Sequence, residues 1–493
     1  MKQLTTLRSF VSVLILTMSF SHTQAQQDYG YTEFEASGSR DAHQVFLKGL
    51  LQLHNFEYED ARYSFQEAQS IDSRFVMAYW GEALTYEHSF WGRFNIEASR
   101  ETLEKLGRTA EERASKAQTA RERDYLNTLE TLFFSQGTQE EREVNYSNAL
   151  RDLHYKYPDD LDAAAFYALS ILFTTYGGRD FTRYMKAAAI TEEILDKNPL
   201  HPGALHYNIH SYDDPIHASL GLRAARDYFK VAPSAIHALH MGSHIYFALG
   251  MWEQGTDRNT RSFEEAVARQ KNPTDLYSGQ AYHALTWLIY SLSQQGDYDS
   301  AEDRLDLIET QVNQYGDTSI GPRRAYVGAR AAYIIDTQQW QNHHASVEIA
   351  HDGLSDFSVA TDYYLQGIVA LNRGDTVGAL TALERMGGEK EILSPDREIM
   401  APRLLRLALQ GQIELAAGRH NEALELIGLA AELEGQLPAE YGPAVPVQPM
   451  AELLADAYQS LGESDKARSF YELSLQSAVG RERSLEGLSR VSK

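Results

Sequence analysis

The chain has 493 residues, 43% hydrophobic and 23% charged, with 69 acidic against 45 basic side chains and a formal net charge of −24. That length exceeds what one compact core supports, and the composition excludes a disordered chain. The absence of cysteine excludes disulfides, thiolate metal sites and a cysteine nucleophile, and the acidity argues against nucleic acid and anionic lipid as partners.

In chain order, the first element is a leader. Lys2 and Arg8 flank the start of an apolar stretch from Phe10 to Phe20, followed by the small-residue site Thr23-Gln-Ala25. This predicts a signal peptide over 1–25 and a periplasmic or secreted mature protein. The apolar stretch is shorter than the ~20 residues a helix needs to cross a bilayer, and no later stretch reaches that length, so membrane insertion is not expected.

Helical hairpins follow. Gly49 in a first helix, Ala61, Phe65 and Ala68 in a second, and then Ala78-Tyr-Trp-Gly81 set a small-residue and aromatic pattern. Residues 98–143 are rich in Glu, Lys and Arg at helical spacing and fit the pattern poorly, which suggests an insertion of exposed helices. From Asp159 to Gln270 the pattern is clearest: Pro199 and Pro233 are 34 residues apart, as are Tyr212 and Tyr246, and Gly221 and Gly255. Later copies span Tyr364–Leu383, Leu405–Glu434 and Leu453–Val479, with glycine-containing turns at Gly374, Gly418 and Gly462. Prolines at 438, 443, 446 and 449 force the intervening segment to be extended, either as a linker or as a strap across the helices.

A 34-residue period with these packing residues resembles the tetratricopeptide repeat (TPR). The segments 77–88 (MAYWGEALTYEH), 201–210 (HPGALHYNIH) and 237–246 (HALHMGSHIY), with Tyr441-Gly-Pro, are similar to a family of exported bacterial TPR proteins of unassigned function. The resemblance implies an all-α TPR-like solenoid of helical hairpins, a right-handed superhelix of nine to twelve hairpins. On this reading an N-terminal array covers 26–320 and carries a His-rich groove, and a C-terminal array covers 321–493 and includes the Pro-rich segment 438–449. Protein or peptide partners are expected in the concave groove of such a solenoid.

Seven of the 17 histidines fall between 201 and 244. His206 and His210 are four apart, as are His240 and His244, so each pair shares a helix face at about 6 Å along the axis. The two pairs are themselves 34 apart, which places them on first helices of adjacent repeats, as a four-imidazole grid facing one groove. His237 and Asp213 fall at neighbouring groove positions. Imidazoles in i, i+4 pairs suit zinc, copper or nickel, so His206, His210, His240, His244, His237 and Asp213 are the candidate metal ligands. His54 and His88, also 34 apart, could be a second ligand pair or helix-end residues. His54, His88, Trp80, Glu82 and His283, which could extend the row from His237, are candidate partner contacts.

No His-Glu-x-x-His, Gly-x-Ser-x-Gly, phosphate-loop or dinucleotide motif occurs, so no catalytic residue is assigned. The reading is an exported scaffold that binds a partner along its concave face, with a groove that offers ligands to a divalent transition metal. A scaffold whose histidines only hydrogen-bond, and a metal-dependent hydrolase, are the alternatives.

Overall fold

The computed structural model describes residues 28–491 except 177, 273, 389–393, 395, 439 and 440; the leader expected over 1–25 lies outside these. The described chain is an all-α, TPR-like array of helical hairpins with 23 α-helices and one two-stranded ribbon. The N-terminal third comprises α1 (Arg40–His54), α2 (Tyr58–Ile71), α3 (Val76–Leu84), the ribbon β1 (Glu87–His88) and β2 (Arg93–Phe94), α4 (Ile96–Glu104), α5 (Ala110–Lys116), α6 (Ala120–Leu129), α7 (Gln139–Lys156), α8 (Leu161–Phe173) and α9 (Phe181–Lys197). The middle holds α10 (Pro202–Tyr212), α11 (Leu222–Val231), α12 (Ile236–Ala248), α13 (Trp252–Ala268), α14 (Gly279–Ser293), α15 (Tyr298–Tyr315) and α16 (Ile320–Thr337). The remainder is α17 (Asp356–Asn372), α18 (Thr376–Arg385), α19 (Arg397–Ala416), α20 (His420–Gly435), α21 (Met450–Ser460), α22 (Ser464–Ser477) and α23 (Glu482–Val491). None of these helices is long and apolar enough to cross a membrane.

The small residues of the repeat sit where helices interlock. A Cβ added at Gly81 would stand 2.4 Å from the Phe65 ring, and one at Gly49 would stand 2.9 Å from it. Gly221 and Gly255 repeat the arrangement against Ile245 and Phe247, at 2.6 and 2.5 Å. Side chains there would push the hairpins apart, which explains the 34-residue recurrence. The hairpin turns share one geometry: Gly250, Gly296, Gly374, Gly418 and Gly462 all have φ between 67° and 79°, the left-handed cap that a side chain resists.

The charge-rich region 98–143 is ordered by capping. Thr109 with Glu112, Thr119 with Glu122, and Thr138 with Glu141 each form a reciprocal capping box, satisfying orphan amide groups at three helix starts. Arg113 packs inward and pairs with Glu130 at 2.6 Å. One large apolar core runs from Phe34 to Ala248 and a second from Ile236 to Ala457, so α12 belongs to both. Helix α12 carries three of the predicted ligands.

The described residues of the Pro-rich segment are not helical and dock as a strap. Arg397 donates to the carbonyls of Pro438 and Val445 at 3.0–3.1 Å, and Glu434 accepts from the Met450 amide at 2.7 Å. Between these anchors, Tyr441 and Gly442 reach across to α12 and α14.

Candidate metal centre

Helix α10 starts with His201 as N-cap and Pro202 in its first turn, a pre-formed helical entry. His206 and His210 follow on its buried face. Helix α12 presents His237, His240 and His244, and α14 presents His283. These six imidazoles gather as two triads rather than as the expected grid of four: His206, His210 and His237, and His240, His244 and His283. The ligand nitrogens within each triad lie within 4.8 Å of one another. His206 Nε2 is 3.1 Å from His237 Nε2, while His240 Nε2 is 3.1 Å from His244 Nε2 and 3.0 Å from His283 Nε2. Tetrahedral nitrogens about 2.0 Å from one ion are separated by about 3.3 Å, and right-angled ones by about 2.8 Å, so these spacings match edges of a coordination polyhedron.

The outer nitrogens are fastened to oxygen. His206 Nδ1 donates to the His54 carbonyl at 2.8 Å, and His240 Nδ1 to Asn259 Oδ1 at 2.6 Å. His210 and His244 both donate from Nδ1 to Asp213 Oδ2, at 3.2 and 3.0 Å. A proton held on Nδ1 leaves the Nε2 lone pair free, the tautomer a metal needs. His210 Nε2 is buried without a hydrogen-bond partner, a costly state for a lone pair that no donor or cation meets.

Burial and the neighbouring imidazoles push His206, His237 and His240 well below the usual histidine range. Burial brings His244 down to about 4 even though Asp213 opposes it. These rings are therefore neutral at neutral pH, and a metal would not have to displace protons. Burial alone would raise the Asp213 carboxyl; Arg179 and the hydrogen bonds from His210 and His244 outweigh it and hold the carboxyl below the usual range.

Asp213, expected as a ligand, takes a different place. It is fully buried and paired with Arg179, which also lies 3.5 Å from Asp214. Although His210, Asp213 and His244 are close enough to hold an ion among themselves, that ion would face the Arg179 guanidinium, and like charge decides for the orienting role. His54 and His88 do not form a pair. His54 is fully buried, bonded to Asp162 at 2.9 Å and to Tyr207 at 3.0 Å, while His88, in the ribbon strand β1, stacks on Tyr58 at 3.8 Å. Trp80 is wholly buried among Tyr125 and Phe166. Glu82 is buried and holds Gln66, Gln69 and Lys105. His54, Trp80 and Glu82 are therefore internal packing and ion-pair residues and are unavailable as partner contacts. His283, placed in that group by sequence, belongs to the second triad.

Aromatic rings collar the triads. His244 lies between Trp287 and Tyr441, at centroid distances of 4.8 and 4.4 Å, and Phe90 packs on His210 at 4.2 Å. Phe56 packs on His206 at 4.3 Å and His237 at 5.4 Å. Its backbone has φ 57° in the first hairpin turn, the conformation glycine adopts in five later turns, and non-glycine strain of this kind concentrates at functional sites. Arg179, Asn259, Tyr441 and Phe56 were missed by sequence reasoning. Only Phe56 left a signal there, as an aromatic residue where the hairpin turns elsewhere have glycine.

A cavity of about 570 Å³ adjoins this centre, lined in part by Phe90, Trp91, Arg179, Arg397 and Tyr441. Three of its walls, Phe90, Arg179 and Tyr441, touch the histidines or Asp213 directly.

No family model and no curated protein matches the chain. Among solved structures, yeast Tom70 is 14% identical with a TM-score of 0.38, covering 92% of this chain and 95% of that one. The Cut9 and Hcn1 hetero-tetramer of APC/C is 14% identical with a TM-score of 0.36, covering 94% of this chain and 79% of that one. A tetratricopeptide repeat protein from Parabacteroides merdae is 12% identical with a TM-score of 0.35, covering 64% and 93%. The assignment of the fold rests on the hairpins described above.

Proposed function

We propose that this chain is an exported TPR-like scaffold that holds two transition-metal ions side by side, one in each histidine triad, and receives a protein or peptide partner along the concave face. The observation that carries the reading is the paired tautomer control: four outer nitrogens anchored on oxygen, the inner nitrogens of His206 with His237 and of His240 with His244 and His283 about one coordination edge apart, and His210 Nε2 with no protein partner. An all-imidazole set favours zinc, copper or nickel over magnesium or calcium. Imidazole ligands bring no negative charge and would leave the ionic charge unbalanced, since Asp213 is already offset by Arg179. The open position on each ion therefore suits an anion, such as hydroxide or a carboxylate of the partner.

The second reading, a metal-dependent hydrolase, is favoured by the cavity beside the triads. Three nitrogens with an open position is the donor set of a water-activating zinc.

Elemental analysis of the chain produced without a His tag tests the proposal. The triads are expected to hold about two metal ions per chain, and those two should be lost when His206, His210, His240 and His244 are all changed to Ala. Metal absent from the native chain, with thermal stability unmoved by added zinc or copper, would leave a scaffold whose histidines only hydrogen-bond.

A further inference from the structure

One hairpin lacks its second helix. After α16 the chain turns at Gln338, with φ 56°, and residues 338–355 contain only the short 3₁₀ turn His343–Ser346 before α17 begins. The segment is held by polar ties: the buried Arg323 and Arg330 donate to the Ala350 and Val347 carbonyls, and the exposed Arg373 donates to the Trp340 carbonyl.

His343 and His344 lie against Asp306 and Glu309, one turn apart on α15. His343 Nε2 is 3.1 Å from Glu309 Oε2 and 3.7 Å from Asp306 Oδ1, and His344 Nε2 is 3.2 Å from Asp306 Oδ1. One donor atom from each of the four residues falls within 4.8 Å of the others. The His344 side chain is completely buried, yet its Nε2 makes no hydrogen bond. Its other nitrogen is engaged with the Tyr326 hydroxyl at 2.6 Å. With the proton on Nδ1 and donated to that hydroxyl, the Nε2 lone pair faces a carboxylate oxygen, which is repulsive unless a cation lies between them.

We propose that His343, His344, Asp306 and Glu309 bind a zinc ion that fastens the non-helical segment 338–355 to α15. Two nitrogens and two oxygens at 3.1–3.7 Å bracket the tetrahedral edge of about 3.3 Å that follows from metal–ligand bonds of about 2.0 Å. His343 and Asp306 are each 54% exposed, which gives the ion a path from solvent. The ion does the work of the missing helix, because metal bound only by the folded state adds its binding free energy to folding. This site uses none of the residues of the two triads and stands whether or not they hold metal.

The test compares the tag-free full chain with an Asp306→Asn, His343→Ala variant, both loaded with zinc and dialysed. Both substituted side chains are more than half exposed and the buried His344 itself is left unchanged, so folding should be retained, and His343→Ala alone serves as the milder variant. The expected result is one fewer zinc per chain in the variants. Proteolytic cleavage within 338–355 should be accelerated by chelator in the native chain and reversed by zinc, and should be fast in the variants under both conditions. A His210→Ala, His244→Ala chain should keep this zinc. Equal zinc content in native and variant chains, or cleavage of the native segment indifferent to chelator, would overturn the proposal.

Discussion

Asp213 offers the sharpest test of how the centre is built. Asp213→Asn keeps the shape, and its one carbonyl oxygen goes to the charged Arg179, so the amide donor takes the Oδ2 position to which both imidazoles now donate, at 3.2 and 3.0 Å. Both rings facing the new amide must present a lone pair at Nδ1 and carry their proton on Nε2, which can then no longer bind metal. Loss of such a supporting carboxylate lowers metal affinity about 10- to 100-fold, which is about 1.4 to 2.7 kcal/mol. The loss should fall on both proposed ions, since His210 and His244 belong to different triads. The metal-free protein should also lose about 3 kcal/mol, the low end for breaking a buried ion pair, because Asp214 remains 3.5 Å from Arg179. Competition with a chromophoric chelator reads the first effect, and urea unfolding in excess chelator reads the second. Reduced apo stability with both metal affinities unchanged would refute the tautomer argument and reduce Asp213 to an anchor for Arg179.

Phe56→Gly should relieve about 1–2 kcal/mol of left-handed backbone strain while losing about 3–5 kcal/mol of ring packing. A net loss of about 2 kcal/mol in urea unfolding is expected, and a loss above about 4 kcal/mol would show that no strain is relieved. Gly442→Ala combines φ 90° with a Cβ 2.4 Å from the Trp287 ring, so the strap should lift from His244. Limited proteolysis should then cut 441–449 readily, and an unchanged digestion pattern would contradict the docking. Burial raises Glu434 from 4.5 to about 7 against the pull of Arg397. The folded state therefore keeps a proton that the unfolded chain releases, and stability from this group is full below pH 4.5 and falls as pH rises to 7. The change is about 3 kcal/mol, and Glu434→Gln should flatten that part of the stability profile. Identical slopes for native and variant chains would remove the effect.

The hairpins and both i, i+4 histidine pairs were legible because helix periodicity and the 34-residue spacing are local properties of sequence. The capping boxes at Thr109, Thr119 and Thr138 were not read from the sequence, although their Thr-x-x-Glu spacing is local, and they start the helices of a region that its charge marked only as exposed helices outside the repeat. The partition of the imidazoles was not legible. His237 joins His206 and His210 across the interface between α10 and α12, and His283 joins His240 over a separation of 43 residues, outside the period that pointed to the grid. Asp213 reads as a ligand from its position, and only the buried Arg179 beside it shows why it orients instead.

By itself the sequence determined an all-helical repeat chain with imidazoles on neighbouring helices, since hydrophobic spacing, glycine turns and prolines act over a few residues. Tertiary structure decided which nitrogens face one another, which carry their protons outward, and that Tyr441, about 200 residues further along the chain, closes over His244. Those outcomes depend on how helices from distant repeats pack, and packing brings together side chains whose separation in sequence carries no signal of their contact.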